Sequence, residues 1–531
     1  MKALVDSNNI LSIVNINTTS KELFMKHARK LSAIILSAIM LATGCASNTA
    51  PGGSTEIKDS TANSSENNES NGSNTDTVAE SKSVKDVIGD IKVDTKVKIL
   101  SWYDLNDQNV AKTYKELFGV PENTPIGYEE SGSKNSSSEG NEKEKPFADI
   151  QVTNYASRYM DLTRLVQSDN SPDCIPFQES TFIRMLGKKE ELLQNVDDVI
   201  DFGIKELALY KSESDKLSFE GKHYVPITDL SVDHMIWYKT SVIAESGLDD
   251  PWGLYQKGKW TWDKFMEMSK QFADSENGKY AFDGYLHTIS DAFLSTTGET
   301  FITLDDNGRY KNNCKNDKIY ECMDYLRRFA PSVDGLRYPN ERENGWSANE
   351  HEWAEGNTLF YIGDQYNYET QFSLYKKRNK WSDDEIKIVP MPSPDKEQTE
   401  YQPMSAEGYL LIKGAKNTEG YKSLVYAFAY HNNYRSDEEM KAYREEMKSE
   451  SGWSDMLLDR IDEINTPGKY HTVFEISNPD NVYDNCFYST PYSECVDNCL
   501  ANGSAYKAYL ENNPDIVEYF DRLVGSANGE E

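Results

Sequence analysis

Apolar and polar positions alternate with several different periods along this chain, and each change of period marks an element. The apolar stretch V-K-I-L-S-W (97–102) reads as a buried strand. It is followed by N-V-A-K-T-Y-K-E-L-F-G (109–119), which has helical spacing and a glycine stop at Gly119. A-D-I-Q-V-T-N-Y (148–155) predicts a second strand, and residues 159–168 a helix with apolar positions at 162, 165 and 166. S-D-N-S-P-D-C-I-P-F (168–177) is a turn into a third strand. Strands alternating with helices predict an α/β domain around a mostly parallel sheet.

The pattern continues past residue 220. Residues 223–239 read as extended segments around Pro226. Residues 259–274 predict a helix capped by Thr261, with Phe265, Met268 and Phe272 on one face. Ile319, Cys322, Met323 and Leu326 place another helix over 317–330. Residues 352–368 read as helix, turn and strand; 385–394 and 407–413 read as strands around a proline-rich link. From Thr418 onward the pattern is mainly helical, with Ser436 and Glu439 forming a capping box.

The N-terminal pattern is of another kind. Met25 to Lys30 is basic, Leu31 to Ala42 is apolar but for Ser32 and Ser37, and small residues lead to Cys45. That is the build of an export signal. The apolar run is too short to span a bilayer, which takes about 20 residues. Residues 25–44 are therefore read as a signal peptide. Residues 1–24 lie upstream of it and are read as untranslated, with Met25 as the start. Residues 46 to about 83 are Ser, Asn, Thr, Glu and Gly, with no aromatic between Phe24 and Trp102. Residues 45–94 are expected to be Cys45 and a disordered tether, of which the polar coil from 46 to about 83 would reach on the order of 35 Å. A second polar patch at 131–146 reads as a surface-loop insertion.

Composition narrows the function. The 531 residues carry a formal charge of −32 at pH 7, which argues against nucleic-acid binding. Thirty-three tyrosines and nine tryptophans fit interfaces or sugar sites, because such rings join an apolar face to a polar handle. Beyond Cys45 lie Cys174, Cys314, Cys322, Cys486, Cys495 and Cys499; buried thiols and one or two disulfides both remain open. The chain has no CxxC, GxSxG, HExxH or phosphate-loop motif, and no metal or cofactor is expected.

Several of these stretches resemble known blocks. L-A-T-G-C (41–45) resembles the bacterial lipoprotein signal, which implies cleavage before Cys45 and a diacylglycerol on its thiol. S-D-N-S-P-D (168–173), M-I-W-Y-K-T-S-V-I-A-E-S-G-L-D-D-P-W-G (235–253) and G-K-W-T-W-D-K-F-M-E-M-S-K-Q-F (258–272) resemble, in this order, the carbohydrate-binding extracellular solute-binding proteins of ABC importers, the family that includes maltose-binding protein. So do W-A-E-G-N-T-L-F-Y-I-G-D-Q-Y-N (353–367), I-K-I-V-P-M-P (386–392) and residues 405–428. Lys239 stands where that family usually has asparagine, and the likeness is weak over 431–531.

The resemblance implies an α/β, two-lobed periplasmic-binding-protein-like fold with discontinuous lobes, hinge crossings and closure on ligand. Lobe 1 is expected over 95–228 with 400–430, and lobe 2 over 229–390 with the C-terminal helices 431–531. The crossings are expected near Thr228–Ser231 and Pro390–Ser405. The implied function is a membrane-tethered, monomeric receptor at the extracellular face of the cytoplasmic membrane. It would hold a sugar or oligosaccharide in the cleft and deliver it to ABC permease subunits. A secreted carbohydrate-active enzyme and a surface adhesin are the competing readings; with 88 Asp and Glu, a carboxylate pair alone carries no weight for an enzyme.

A sugar site needs aromatic faces and polar side chains at the C-terminal ends of strands. In the first lobe these are Trp102 for stacking, Asp104, and Gln178, Glu179 and Ser180. Asp229 follows the first expected crossing. In the second lobe Asp291, Trp346, Asp364 and Tyr366 are the candidates. Asp173 is expected to fix a turn, and Trp260, Trp262 and Trp353 to pack in the core.

Overall fold

A computed structural model describes residues 82–103, 105, 109–126, 150–152, 158–168, 170–338, 350–395, 400–433, 437–476, 495 and 498–530. Residue Ser436 of the expected capping box, the 131–146 patch, the signal segment and Cys45 lie outside them.

The first lobe starts from a parallel nucleus. Strand β1 (Ile99–Ser101) leads to helix α1 (Asn109–Phe118), which stops at Gly119 with φ +64°, a conformation glycine adopts without strain. β2 (Ile150–Val152), α2 (Arg158–Gln167), β3 (Cys174–Pro176) and α3 (Glu179–Gly187) follow. β1 pairs in parallel with both β2 and β3. The turn into β3 is held by Asp173. Its carboxylate accepts the backbone N–H groups of Lys98 at 2.7 Å, Lys416 at 2.7 Å and Asn417 at 2.9 Å, so its part is structural.

After β4 (Ile227–Val232), the chain passes Asp233 and His234 and enters a second sheet. That sheet runs β10–β5–β9–β6, built from β5 (Met235–Lys239), β6 (Tyr280–Asp283), β9 (Thr358–Gly363) and β10 (Ile386–Val389). Around it pack α4 (Trp262–Phe272), α5 (Leu286–Ser295) and α6 (Asp317–Arg327); a hairpin of β7 (Ile302–Leu304) and β8 (Tyr310–Asn312) precedes α6. α4 begins at Thr261, whose hydroxyl accepts the Lys264 N–H at 3.3 Å. Trp260, Trp262 and Trp353 are all buried, and Trp262 stacks on Tyr325 at 4.6 Å. Lys239 is buried as well. Its ammonium donates to the Ala354 carbonyl at 2.8 Å and lies 4.4 Å from the Trp381 ring, so the cation is solvated by the protein.

The chain returns through the long strand β11 (Tyr401–Leu411), which starts six residues earlier than its apolar pattern indicates. Pairing explains the length. Its C-terminal part is antiparallel to β3, its middle antiparallel to β4, and its first residues parallel to β12 (His471–Val473). A bulge at Glu407–Gly408 shifts the register within the pairing to β4; a Cβ on Gly408 would lie 2.7 Å from the Pro226 carbonyl. The second sheet is therefore mixed, with two antiparallel pairings to one parallel, while the first keeps three parallel pairings beside the two antiparallel ones of β11. Helices α7 (Thr418–Asn433), α8 (Asp437–Ser451) and α9 (Asp455–Ile464) follow, and α10 (Pro514–Asn528) ends the described chain. α10 lies against α3 of the first lobe and the β8 strand. Arg184 donates to the Tyr519 hydroxyl at 3.1 Å, and Asn528 exchanges hydrogen bonds with the Tyr310 backbone.

Packing begins earlier than the expected tether boundary. Val84 and Ile91 are buried in the cluster beneath α7, and the Val84 N–H donates to Glu206 at 3.0 Å. Cys174, Cys314, Cys322 and Cys499 are free, buried thiols, and Cys495 is buried as well.

Candidate functional site

The first lobe presents the start of α3 to the second lobe. β3 ends at Pro176, and Gln178, Glu179 and Ser180 turn the chain into the helix. Opposite them, α5 carries Asp291 and Ser295. These side chains, with Asp233 at the crossing and Pro403, Met404 and Ser405 of β11, enclose a cavity of about 230 Å³. Val473 and Glu475 complete its wall. Residues from both lobes and from the strands between them therefore meet at one place.

The site is acidic, and its groups perturb one another. Glu179 accepts the Ala406 N–H at 2.6 Å and the Ser405 hydroxyl at 3.3 Å. Burial raises its carboxyl to about 7; those hydrogen bonds oppose the rise, and the Asp233 carboxylate adds to it. His234 pairs with Asp233 at 2.7 Å. Burial works against a charged imidazole there, but the carboxylates of Asp233, Asp364 and Asp291 outweigh it and raise His234 to about 9. Asp364 is raised too, first by burial and then by Asp233, against the pull of His234. Such an arrangement can accept hydrogen bonds from hydroxyl-rich solutes.

Among the described residues, the remaining sequence candidates do not line this cavity. Asp364 caps a short helix, accepting the Asn367 N–H at 3.1 Å, and reaches the cavity through its field on His234. Tyr366 follows it with 39% of its surface exposed. Trp102 is half-buried, edge-on to Tyr103, with the Arg158 guanidinium 5.5 Å from its ring. Asp229 is buried in β4, where its carboxylate accepts the Leu230 N–H at 2.9 Å and the Tyr210 hydroxyl lies at 3.4 Å. None of these four lines the cavity. Asp104 and Trp346 lie outside the described residues.

The structure adds Asp233, Ser295, Pro403, Met404, Ser405, Val473 and Glu475 to the wall. One of them has a sequence signal: Asp233-His234 is a polar pair between Val232 and the apolar stretch from Met235 to Tyr238, at the chain's change of sheet. A wider groove of about 540 Å³ lies in the second lobe, lined by Asp249, Lys257, Lys264 and Glu267 among others. It is the larger space but the poorer site, because it belongs to one lobe and its charges pair internally, Lys264 with Asp249 and Glu267.

The family model described as bacterial extracellular solute-binding protein matches residues 141–444. Among solved structures, the chain is similar to the ABC substrate-binding protein Lmo0181 from Listeria monocytogenes, solved with cycloalternan. The two are 11% identical with a TM-score of 0.51, over 81% of this chain and 100% of that one. The GacH receptor of Streptomyces glaucescens, solved unliganded and with acarbose, is 10% identical with a TM-score of 0.49, over 81% and 98%. An extracellular solute-binding protein from Staphylococcus aureus, solved with maltose, is 10% identical with a TM-score of 0.48, over 82% and 98%. At 11% identity, what the chain shares with the Listeria structure is the fold. No curated protein sequence matches the chain.

Proposed function

This chain belongs to the bacterial extracellular solute-binding proteins, and from that premise we propose that it captures a sugar or oligosaccharide between its lobes and delivers it to the permease subunits of an ABC importer. The observation that carries the reading is the cavity where Gln178, Glu179 and Ser180 face Asp291 across the crossing. Its wall is rich in hydrogen-bond acceptors, which suits hydroxyl donors. The cycloalternan complex of the Listeria relative supports the sugar class. Gln178, Glu179, Ser180 and Asp291 are the side chains proposed to touch ligand. Lipid on Cys45 is proposed to hold the receptor at the outer face of the membrane, with the polar stretch after it as a leash.

A melting screen of the purified chain against neutral mono- and oligosaccharides tests this. A ligand at a hundredfold excess over its Kd stabilises by about 2.7 kcal/mol. A panel in which no saccharide moves the transition overturns the sugar reading.

A further inference from the structure

The family match ends at residue 444, yet the chain after it reaches the centre of the molecule. α9 ends at Ile464, and the next residue, Asn465, is buried with its side-chain oxygen accepting the Val232 N–H at 2.7 Å. Val232 is the last residue of β4, next to the crossing. β12 then adds to β11 in parallel, with Tyr401, Gln402 and Pro403 opposite His471, Thr472 and Val473. Thr472 is pinned from the first lobe, for the Lys216 ammonium donates to its carbonyl at 3.0 Å and its hydroxyl at 2.8 Å. The segment is thus tied to both strands that lead between the lobes.

An extended chain sends alternate side chains to opposite sides. Val473 and Glu475 fall on one side and line the cavity. Phe474 and Ile476 fall on the other and are buried in the core. Glu475 raises the carboxylates in the wall to four, with Glu179, Asp233 and Asp291. Among the described residues, neither a lysine nor an arginine lines it.

We infer that Val473 and Glu475 are ligand-contacting residues, and that the segment beyond the family match sets which solute this chain accepts. This rests on the cavity being the binding site. Glu475 accepts a ligand hydroxyl, and with His234 pairing off the Asp233 charge at 2.7 Å the remaining wall carboxylates disfavour solutes that carry their own negative charge. A neutral saccharide is therefore held in preference to the corresponding uronic acid or sugar phosphate. Val473 supplies an apolar face against ring carbons.

The test is calorimetric titration of the full chain with the neutral saccharide that gives the largest melting shift, and with its uronic acid. Wild-type protein is expected to bind the neutral form more tightly. Glu475→Gln keeps the shape and removes the charge. It is expected to weaken neutral-saccharide binding by about tenfold or more, the worth of a hydrogen bond to a charged group. It also narrows the preference over the uronic acid, with the unliganded melting temperature unchanged. Val473→Ala, tested beside it, is expected to weaken the neutral ligand without altering charge discrimination, and it decides the matter if Glu475→Gln does not fold. Affinity and neutral-to-acid ratio within twofold of wild type in both variants overturn the inference while leaving the sugar reading intact. No binding of any saccharide overturns the sugar reading, and this inference with it.

Discussion

Glu179 offers a sharp test of the site's electrostatics. Its carboxyl is buried against the Ala406 N–H and the Asp233 carboxylate and is raised from an ordinary 4.5 to about 7. Below pH 4.5 folded and unfolded chains both carry the proton, and the group has no effect on stability. Between pH 4.5 and 7 the unfolded chain ionises first, so stability falls as pH rises. Above pH 7 both states are ionised and the loss is constant. Each pKa unit is worth about 1.4 kcal/mol, which makes the full loss about 3 kcal/mol. Glu179→Gln keeps an oxygen that accepts the Ala406 N–H at 2.6 Å in the wild type, and removes the ionisation. The variant is therefore expected to gain stability relative to wild type between pH 5 and pH 8, by up to about 3 kcal/mol. Urea unfolding of both proteins at the two pH values measures it. Glu369, raised to about 8, and Asp462, raised to about 6, also titrate in this range, but equally in both proteins. A stability difference that stays the same at pH 5 and pH 8 refutes the reasoning.

Other expectations follow from single contacts. Asp173→Ala leaves the part-buried backbone N–H groups of Lys98, Lys416 and Asn417 without their carboxylate acceptor, at a cost of about 1–3 kcal/mol, read from the urea midpoint. Asp233→Asn removes the nearest carboxylate from His234, and its titration, followed by NMR, moves down from about 9 toward 6.5. Cys45→Ala, expressed in a bacterium that processes lipoproteins, releases folded protein into the medium; unchanged retention at the membrane contradicts the anchor.

The sequence made the locally encoded features legible. A cap such as Thr261, a stop such as Gly119 and the apolar faces of α4 and α6 depend on neighbours a few residues away, and these fall where the pattern puts them. Asp173 was readable as a turn residue because its turn is local, although two of its three donors come from residues 416 and 417. Features set by distant partners were not legible. β12 has three residues and a parallel partner some seventy positions away, so it sits unannounced in a region whose pattern reads as helical. The early start of β11 depends on that same partner for residues 401–403 and on β4 for residues 404–406. Asp229 looks like a cleft carboxylate in the sequence, but Tyr210 places a hydroxyl beside it inside the fold.

The site divides the same way. Gln178, Glu179 and Ser180 follow a strand and could be found from their place in it, and Asp291 meets them across the cavity. Asp364 was legible as a residue after a strand, but its hydrogen bond goes to a helix cap. Val473 and Glu475 carry no local signal, because only the pairing of β12 with β11 brings them to the wall.

The most direct measurement is hydrogen–deuterium exchange of the full chain with and without a saccharide that raises its melting temperature. Binding between the lobes predicts new protection at 178–180, 233–234, 403–406 and 473–475, with the groove around 249–267 unchanged. Protection confined to 249–267, with the interlobe segments exchanging as before, contradicts it.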